Sequence, residues 1–481
     1  MRVCATTDAA GVGWRAVTPL LPHQITGVEK LLPSRVGALF MEMGTGKSRT
    51  AIELARIRQS KISRVVWFCP VTLKETIRRE ILKHTDCGPE SIYVFDGGTR
   101  ESRLPMDRAW YVIGVESMSA SVRAVFCAQS LIDDRAFVIV DESTYIKGHA
   151  SKRTKRITLL SERARYRMVL TGTPITQGVV DLFAQMRFLS PKILGYNSFY
   201  TFARNHLVYS TRNKGQIVRS KSVDWLTERM KPYVYQVTKA QCLTLPEKLH
   251  ENFHCYTTLE QDKAYERAKE EFCEDLLKYE ASDSDLSNGI AVFRLFSRLQ
   301  AIACGSFDGQ RIAHNRLRLL SSVLNDVSDS HIAIWAKYRV CLDEIKAFAK
   351  EEGRALARID GDVPERERDA RIQRWKDSGG ILLLTQSIGG HGLDLTAAST
   401  AVFYSSAFKY SEHVQAEDRF HRIGQTRPVS YLSLWADCGI EDRIRTALNE
   451  KANALACLRR AFHDIGKEKS KKSVRDLVMS L

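Results

Sequence analysis

The sequence has no CxxC pair. Its eleven cysteines are scattered along 481 residues, which excludes a cysteine-ligated zinc module and a disulfide-stapled scaffold. An odd number of thiols without metal spacing reads as reduced cysteine in an intracellular protein. No apolar run approaches the roughly 18 residues of a membrane span, and residues 1–15 lack a cationic stretch followed by an apolar segment. The expectation is a cytosolic or nuclear protein with no membrane partner, acting inside the host cell if viral. Repeats of solenoid period are also missing. Acidic residues are in deficit: 56 Asp and Glu stand against 72 Lys and Arg, a formal charge of +16 that favours polyanionic partners such as nucleic acid, or an anionic membrane surface, without choosing between them. With 44% hydrophobic and 27% charged residues, wholesale disorder is excluded. At roughly 100 to 200 residues per domain, the length allows two to four cores.

The first half alternates short apolar runs with amphipathic stretches, the pattern of a parallel sheet covered by helices. Candidate strands lie at 36–41, 64–69, 110–114, 137–140 and 167–171. From 182 to 320 the periodicity is mostly helical, broken by a polar turn at 210–216 and a Ser/Asp-rich surface loop at 282–289. Strand-and-helix alternation resumes with 331–335, 381–385, 401–404 and 429–435. The expected fold class is α/β, two parallel-sheet domains in tandem with helical insertions. The spans are 1–240 for the first domain, 241–465 for a helical insertion plus the second domain, and 466–481 for a tail carrying Lys467, Lys469, Lys471 and Lys472.

Met43-Gly44-Thr45-Gly46-Lys47-Ser48 follows a candidate strand and opens a helix. Glycines let backbone N–H groups wrap a polyphosphate. The helix N-terminus adds positive potential, Lys47 reaches the β- and γ-phosphates, and Ser48 offers a hydroxyl to Mg²⁺. The full GxxxxGK[ST] pattern would need glycine where Met41 stands, so a plain strand-to-helix turn is the alternative. The second signal is the apolar strand ending in Asp141 and Glu142. At the C-terminal edge of a parallel sheet, Asp141 can hold Mg²⁺ and Glu142 can orient and deprotonate an attacking water. Such acids also occur as ordinary solvated loop starts. Found in this order, the two halves make ATP or GTP hydrolysis the leading reading.

Further motifs run in order along the chain: Leu20-Leu21-Pro22-His23-Gln24, Phe68-Cys69-Pro70 with Lys74, Leu170-Thr171-Gly172-Thr173-Pro174 and Ile359-Asp360-Gly361. Thr385 with Gly389-Gly390-His391-Gly392-Leu393-Asp394 follows, and then Gln415-Ala416-Glu417-Asp418-Arg419-Phe420-His421-Arg422-Ile423-Gly424-Gln425. With these the chain resembles superfamily-two nucleic-acid motors, and among them the Swi/Snf-type ATPases, over about 20–429. The resemblance implies two RecA-like domains with ATP and Mg²⁺ in the cleft between them. It assigns Gln24 to adenine, Gly392 and Asp394 to the nucleotide, Thr171 and Thr173 to coupling ATP state to closure, and Lys74, Thr385 and Gly390 to the nucleic-acid backbone.

A helix presenting Gln415, Arg419 and Arg422 would set two guanidinium groups on one face, suited to bidentate phosphate contact, with a solvated Arg/Glu/Asp helix face as the alternative. Arginines supplied to a phosphoryl-transfer transition state are worth roughly 10³ to 10⁵ in rate. Three departures from the family pattern stand out: Asp394 where asparagine is usual, His23 for an aromatic, and DEST for DEAH or DEGH. Lys147, Lys152, Arg153, Lys155, Arg156, Arg163, Arg165 and Arg167 form either part of a phosphate-following groove or a solvated face. Trp335 and Trp375 read as core, and His391, His413 and His421 as local hydrogen-bonding residues. Phe188-Leu189-Ser190-Pro191 and Leu245-Pro246-Glu247-Lys248 resemble landmarks of the helical protrusions with which these motors grip duplex.

The expectation is an ATP-dependent translocase on DNA, duplex favoured and branched or single strands possible, serving repair, recombination or replication. A strand-separating DNA or RNA helicase and a nucleotide-switched binding protein are the alternatives. No segment resembles a bromodomain, chromodomain or nuclease, and no protein partner is indicated.

Overall fold

Nine apolar runs expected as strands become the inner strands of two parallel sheets, one in each of two compact units, Met1–Thr244 and Leu245–Leu481. The computed structural model describes residues 13–175, 178–210, 217–278, 290–386, 388, 393–450, 476, 478–479 and 481. In the first unit, β1 (Val36–Met41), β2 (Arg64–Cys69), β3 (Ile92–Val94), β4 (Trp110–Gly114), β5 (Ala136–Val140) and β6 (Tyr166–Leu170) precede an antiparallel hairpin, β7 (Leu207–Tyr209) and β8 (Ile217–Ser220). After the hairpin, β9 (Val234–Val237) returns to the main sheet, whose order is β3-β4-β2-β5-β6-β1-β9. All of its pairings are parallel.

Residues on these strands alternate between two cores. Ala38, Phe40, Val66, Phe68, Val138 and Val140 enter one, while Leu39, Met41, Val65, Trp67, Phe137 and Ile139 enter the other. A sheet covered on both faces needs apolar side chains at every position, so its strands read as unbroken hydrophobic runs.

The second unit repeats the plan. β10 (Lys248–Cys255) is followed by a short hairpin, β11 (Ser306–Phe307) and β12 (Gln310–Arg311). β13 (His331–Ala336), β14 (Leu356–Ile359), β15 (Gly380–Thr385), β16 (Thr400–Phe403) and β17 (Val429–Ala436) complete a parallel sheet of order β10-β17-β16-β13-β15-β14. Its faces are covered by separate cores, one holding Ile332, Ile334, Leu383 and Leu434, the other Ala333, Trp335, Leu382 and Leu384.

Within the two main sheets, the four strands that the apolar pattern did not reveal, β3, β9, β10 and β14, are the four edges. β10 reads Lys-Leu-His-Glu-Asn-Phe-His-Cys, and four of its central residues are exposed. With only one neighbour, an edge strand is not enclosed, and the continuous hydrophobic signal is lost. The stretch 182–320, expected to be mostly helical, therefore also contains β7 to β12. Its longest elements are nonetheless helices, Leu259–Lys278 and Ile290–Ala303. The Ser/Asp-rich loop at 282–289 and the four tail lysines lie outside the described residues.

Candidate functional site

Because β6 lies between β1 and β5, the turns that leave these three strands emerge side by side at the sheet's C-terminal edge. The turn after β1 is shaped by Gly44 and Gly46, whose φ angles of 80° and 86° lie in the left-handed region. Gly46 is also sterically specified, since a Cβ there would fall 2.1 Å from Gln24 Nε2. Thr45 is fully buried, and its carbonyl accepts from Gln24 Nε2 at 3.2 Å and pairs with His23 Nε2 at 2.7 Å. Gln24 Oε1 accepts from Leu21 N at 3.0 Å. In this structure the glutamine expected to read adenine thus holds the phosphate turn by its amide, and the histidine that departs from the usual aromatic does the same.

The helix Lys47–Ile57 begins at Gly46, with Lys47 and Ser48 as its first two residues and its N–H dipoles directed at the turn. Lys47 Nζ donates to the Met41 carbonyl at 3.0 Å and to that of Glu42 at 3.4 Å. Glu42 ties the turn to β9: its N–H donates to Val237 O at 3.0 Å, and its carboxylate accepts from Lys239 N at 2.7 Å. Tyr235 of β9 donates to His23 O at 2.6 Å, so β9 braces the turn from the other side. Sequence reasoning missed Glu42 and Tyr235 because their roles depend on an edge strand that carries little signal.

Beyond β5, Asp141 is buried and its carboxylate accepts from Glu142 N at 2.9 Å. Burial, with repulsion from Glu142, pushes the Asp141 carboxyl up to about 7, against the pull of Lys47. A cation placed against this carboxylate would relieve both effects. Glu142 adopts φ 45°, a left-handed conformation uncommon outside glycine. From β6, Thr171 Oγ1 donates to Glu142 Oε2 at 3.4 Å and accepts from Thr173 N at 3.1 Å. The first unit therefore brings Gln24, Gly44, Thr45, Gly46, Lys47, Ser48, Asp141, Glu142, Thr171 and Thr173 to one sheet edge.

Lys74 begins the helix Lys74–His84, and its ammonium is bonded to the Phe95 carbonyl. The basic run is divided among several roles. Arg156 donates to Met118 O at 2.7 Å, Arg167 to Phe188 O at 3.1 Å, and Lys147 pairs with Asp181 at 3.6 Å, while Lys152, Lys155 and Arg163 are exposed.

In the second unit, Thr385 closes β15 and is buried. Gly390, Gly392 and His391 lie outside the described residues. The Asp394 carboxylate is engaged by Lys376 Nζ at 2.8 Å and by the hydroxyl of Thr396 at 2.8 Å. Burial opposes ionisation of Asp394, but these partners outweigh it and hold the carboxyl below its usual range.

The arginines correct one expectation. The helix Tyr410–Glu417 carries Gln415 but stops before Arg419, so Gln415, Arg419 and Arg422 do not share a helical face. Past Asp418, Phe420 is driven fully into the core against Trp335 and Tyr431. Gln425, itself buried, caps the carbonyls of Ala398 at 2.9 Å and Thr396 at 3.3 Å. Arg419 is buried and its carbonyl accepts from Leu395 N at 3.1 Å, while Arg422, half-buried, donates to Leu393 O at 3.4 Å. Trp335 and Trp375 are core residues, as expected. His413 pairs with Glu417 one turn on at 3.3 Å, the local role expected of it, whereas His421 pairs with the distant Pro246 O at 2.8 Å. Among the described residues, no group of three or more His, Cys, Asp or Glu could hold a metal, and no helix is long and apolar enough to cross a membrane.

The chain is similar to ATP-dependent DNA helicase DDM1 of Arabidopsis thaliana, 26% identical over 64% of this chain and 43% of that protein. It is likewise similar to chromodomain-helicase-DNA-binding protein 1-like of Danio rerio, 25% identical over 88% of this chain and 42% of the relative. The chain spans about half the length of the curated relatives it matches. Among solved structures, the Sulfolobus solfataricus SWI2/SNF2 ATPase core in complex with dsDNA aligns at 22% identity and a TM-score of 0.43, covering 96% of this chain and 95% of that one. The helicase conserved C-terminal domain matches residues 315–424, over β13 to β16 and the turn bearing Arg419 and Arg422. The SNF2-related domain matches residues 23–306, more than half of the chain, and the protein belongs to that family of superfamily-two, Swi/Snf-like proteins.

Proposed function

We propose that the protein is an ATP-dependent DNA translocase that couples ATP hydrolysis to movement on DNA, mainly duplex. The observation that carries this reading is the meeting, at adjacent strand ends, of a glycine-shaped phosphate turn with Lys47 and of the Asp141–Glu142 pair, linked through Thr171. A binding-only nucleotide site has no need of a carboxylate such as Glu142 beside the metal-holding acid. Gly44 and Gly46 hold the turn in left-handed backbone conformations that favour glycine, which suits backbone N–H groups wrapping a triphosphate. Ser48 and Asp141 would hold Mg²⁺, and one carboxylate and one hydroxyl suffice because this ion takes most of its remaining ligands from water and phosphate. When bound, Mg²⁺ neutralises charge on the β- and γ-phosphates.

In this reading Glu142 accepts a proton from the attacking water and Lys47 leaves its loop carbonyls for the phosphate oxygens. Gln415, Arg419 and Arg422 stabilise charge in the phosphoryl-transfer transition state, and Asp394 and Gly392 contribute to nucleotide binding. Lys74, Thr385 and Gly390 contact the backbone of the nucleic acid without reading sequence. The charge of +16 suits a nucleic acid, and DNA is favoured over RNA because the similar Arabidopsis and Danio proteins are named for DNA. A role in repair, recombination or replication goes with this activity.

The test is ATPase activity across duplex, branched and single-stranded DNA and RNA, with triplex-displacement and strand-displacement assays alongside. Duplex DNA should stimulate most, with triplex displaced and strands left paired. Lys47→Ala and Glu142→Gln should each abolish turnover and leave DNA binding in place, and Arg422→Ala should lower kcat more than ATP affinity. Full DNA-stimulated hydrolysis by either of the first two variants would refute the site assignment.

A further inference from the structure

The acidic strand end reads Asp141-Glu142-Ser143-Thr144, and nothing in the nucleotide chemistry above uses its serine. Ser143 is fully buried, and so is Gln185 on the helix Val180–Leu189. A hydroxyl and a carboxamide enclosed without partners would each be strongly disfavoured. They satisfy each other, Ser143 Oγ donating to Gln185 Oε1 at 2.6 Å. The amide nitrogen points the opposite way and donates to Pro174 O at 2.9 Å and to Asp181 O at 2.9 Å. One side chain therefore spans from the residue after Glu142 to the residue that closes the Thr-Gly-Thr-Pro turn. On the other side of the same gap, Thr171 Oγ1 donates to Glu142 Oε2. The two loops are joined twice, and Glu142 sits between the joints in a backbone conformation, φ 45°, that persists only where its surroundings hold it.

We propose that Gln185 is a positioning residue for Glu142, and that with Ser143 it forms a tie through which displacement of the 171–174 turn reorients the base. The proposal rests on the ATPase reading. It also gives the DEST departure a reason, because the serine replaces a small apolar residue where a buried amide needs a donor. Gln185 touches neither nucleotide nor water in this role, and its effect reaches the reaction only through Ser143 and Pro174.

The experiment measures DNA-stimulated steady-state ATPase, affinity for a fluorescent non-hydrolysable ATP analogue, and Tm for the full chain and for Gln185→Leu, Ser143→Ala and their double variant. Gln185→Leu should lower kcat about tenfold, the scale of one lost hydrogen bond, with KM and analogue affinity within about twofold of the parent. Ser143→Ala should lower kcat by less, since the amide keeps Pro174. The double variant should not fall below Gln185→Leu, because partners in one tie do not add. If Gln185→Leu does not fold, Gln185→Asn serves instead: it keeps the amide but is too short to span both loops, so the same loss of kcat is expected. Turnover in the parent with kcat within twofold in the folded Gln185 variant overturns this proposal alone, as does a loss of kcat matched by an equal loss of analogue affinity. No turnover in the parent on any DNA overturns the ATPase reading and this proposal with it.

Discussion

Gly46→Ala isolates the shape of the phosphate turn from its charge. At φ 86° a side chain meets left-handed strain of about 1–2 kcal/mol. The new Cβ would also lie 2.1 Å from Gln24 Nε2. Gln24 must then swing away and forfeit its bond to Thr45 O, worth about 1 kcal/mol. Together these give about 2–3 kcal/mol against the binding-competent turn, or about 30- to 150-fold in nucleotide affinity. Titration with a fluorescent ATP analogue and Mg²⁺ reads this directly, with Lys47 still in place. Gln24→Ala alone should weaken binding about fivefold. If the amide is what rejects the Cβ, the double variant should bind no worse than Gly46→Ala, and the shortfall from additivity should be about 1 kcal/mol. Affinity within twofold of the parent for Gly46→Ala would refute the required backbone conformation, and fully additive losses would refute the steric role of Gln24.

In the second unit, Glu441→Ala should cost about 3–5 kcal/mol in urea unfolding, the scale of a broken buried ion pair. It strands Arg316, which is 1% exposed and also donates to Tyr404 O at 2.6 Å and Leu434 O at 2.9 Å. A loss below 1 kcal/mol would mean that the arginine reaches solvent. Lys337→Met should stabilise the fold at and below pH 7. Burial pushes the Lys337 amine down to about 7, although Cys304, Glu412 and Glu441 favour its charge. Its ammonium donates to Gln300 Oε1 at 2.8 Å and lies over the rings of Phe408 and Tyr338. Because the folded value lies below the unfolded one near 10.4, the penalty is complete below pH 7 and fades as pH rises toward 10. The gain should be on the order of 2 kcal/mol at pH 6.5 and small at pH 10, and a difference that does not change with pH in urea melts would refute the assignment.

What could be read from the chain alone were features written in contiguous residues. The nine inner strands were visible because a sheet covered on both faces needs apolar side chains at every position, as in Val138-Ile139-Val140. The phosphate turn and the acid pair were visible because each needs fixed residue types at fixed spacing. The edges β3, β9, β10 and β14 were not, since one open side removes the constraint that would have marked them. The end of the helix at Glu417 was set by Phe420 entering the core and by Gln425 capping distant carbonyls, contacts that no local propensity encodes. Gln185 lies 42 positions from Ser143 and matters only because two buried polar groups had to find each other. Local sequence thus determined which chemistry is present. Tertiary packing decided which side chains hold it in place, because desolvated polar groups take whatever partner the fold brings within reach, whatever its distance along the chain.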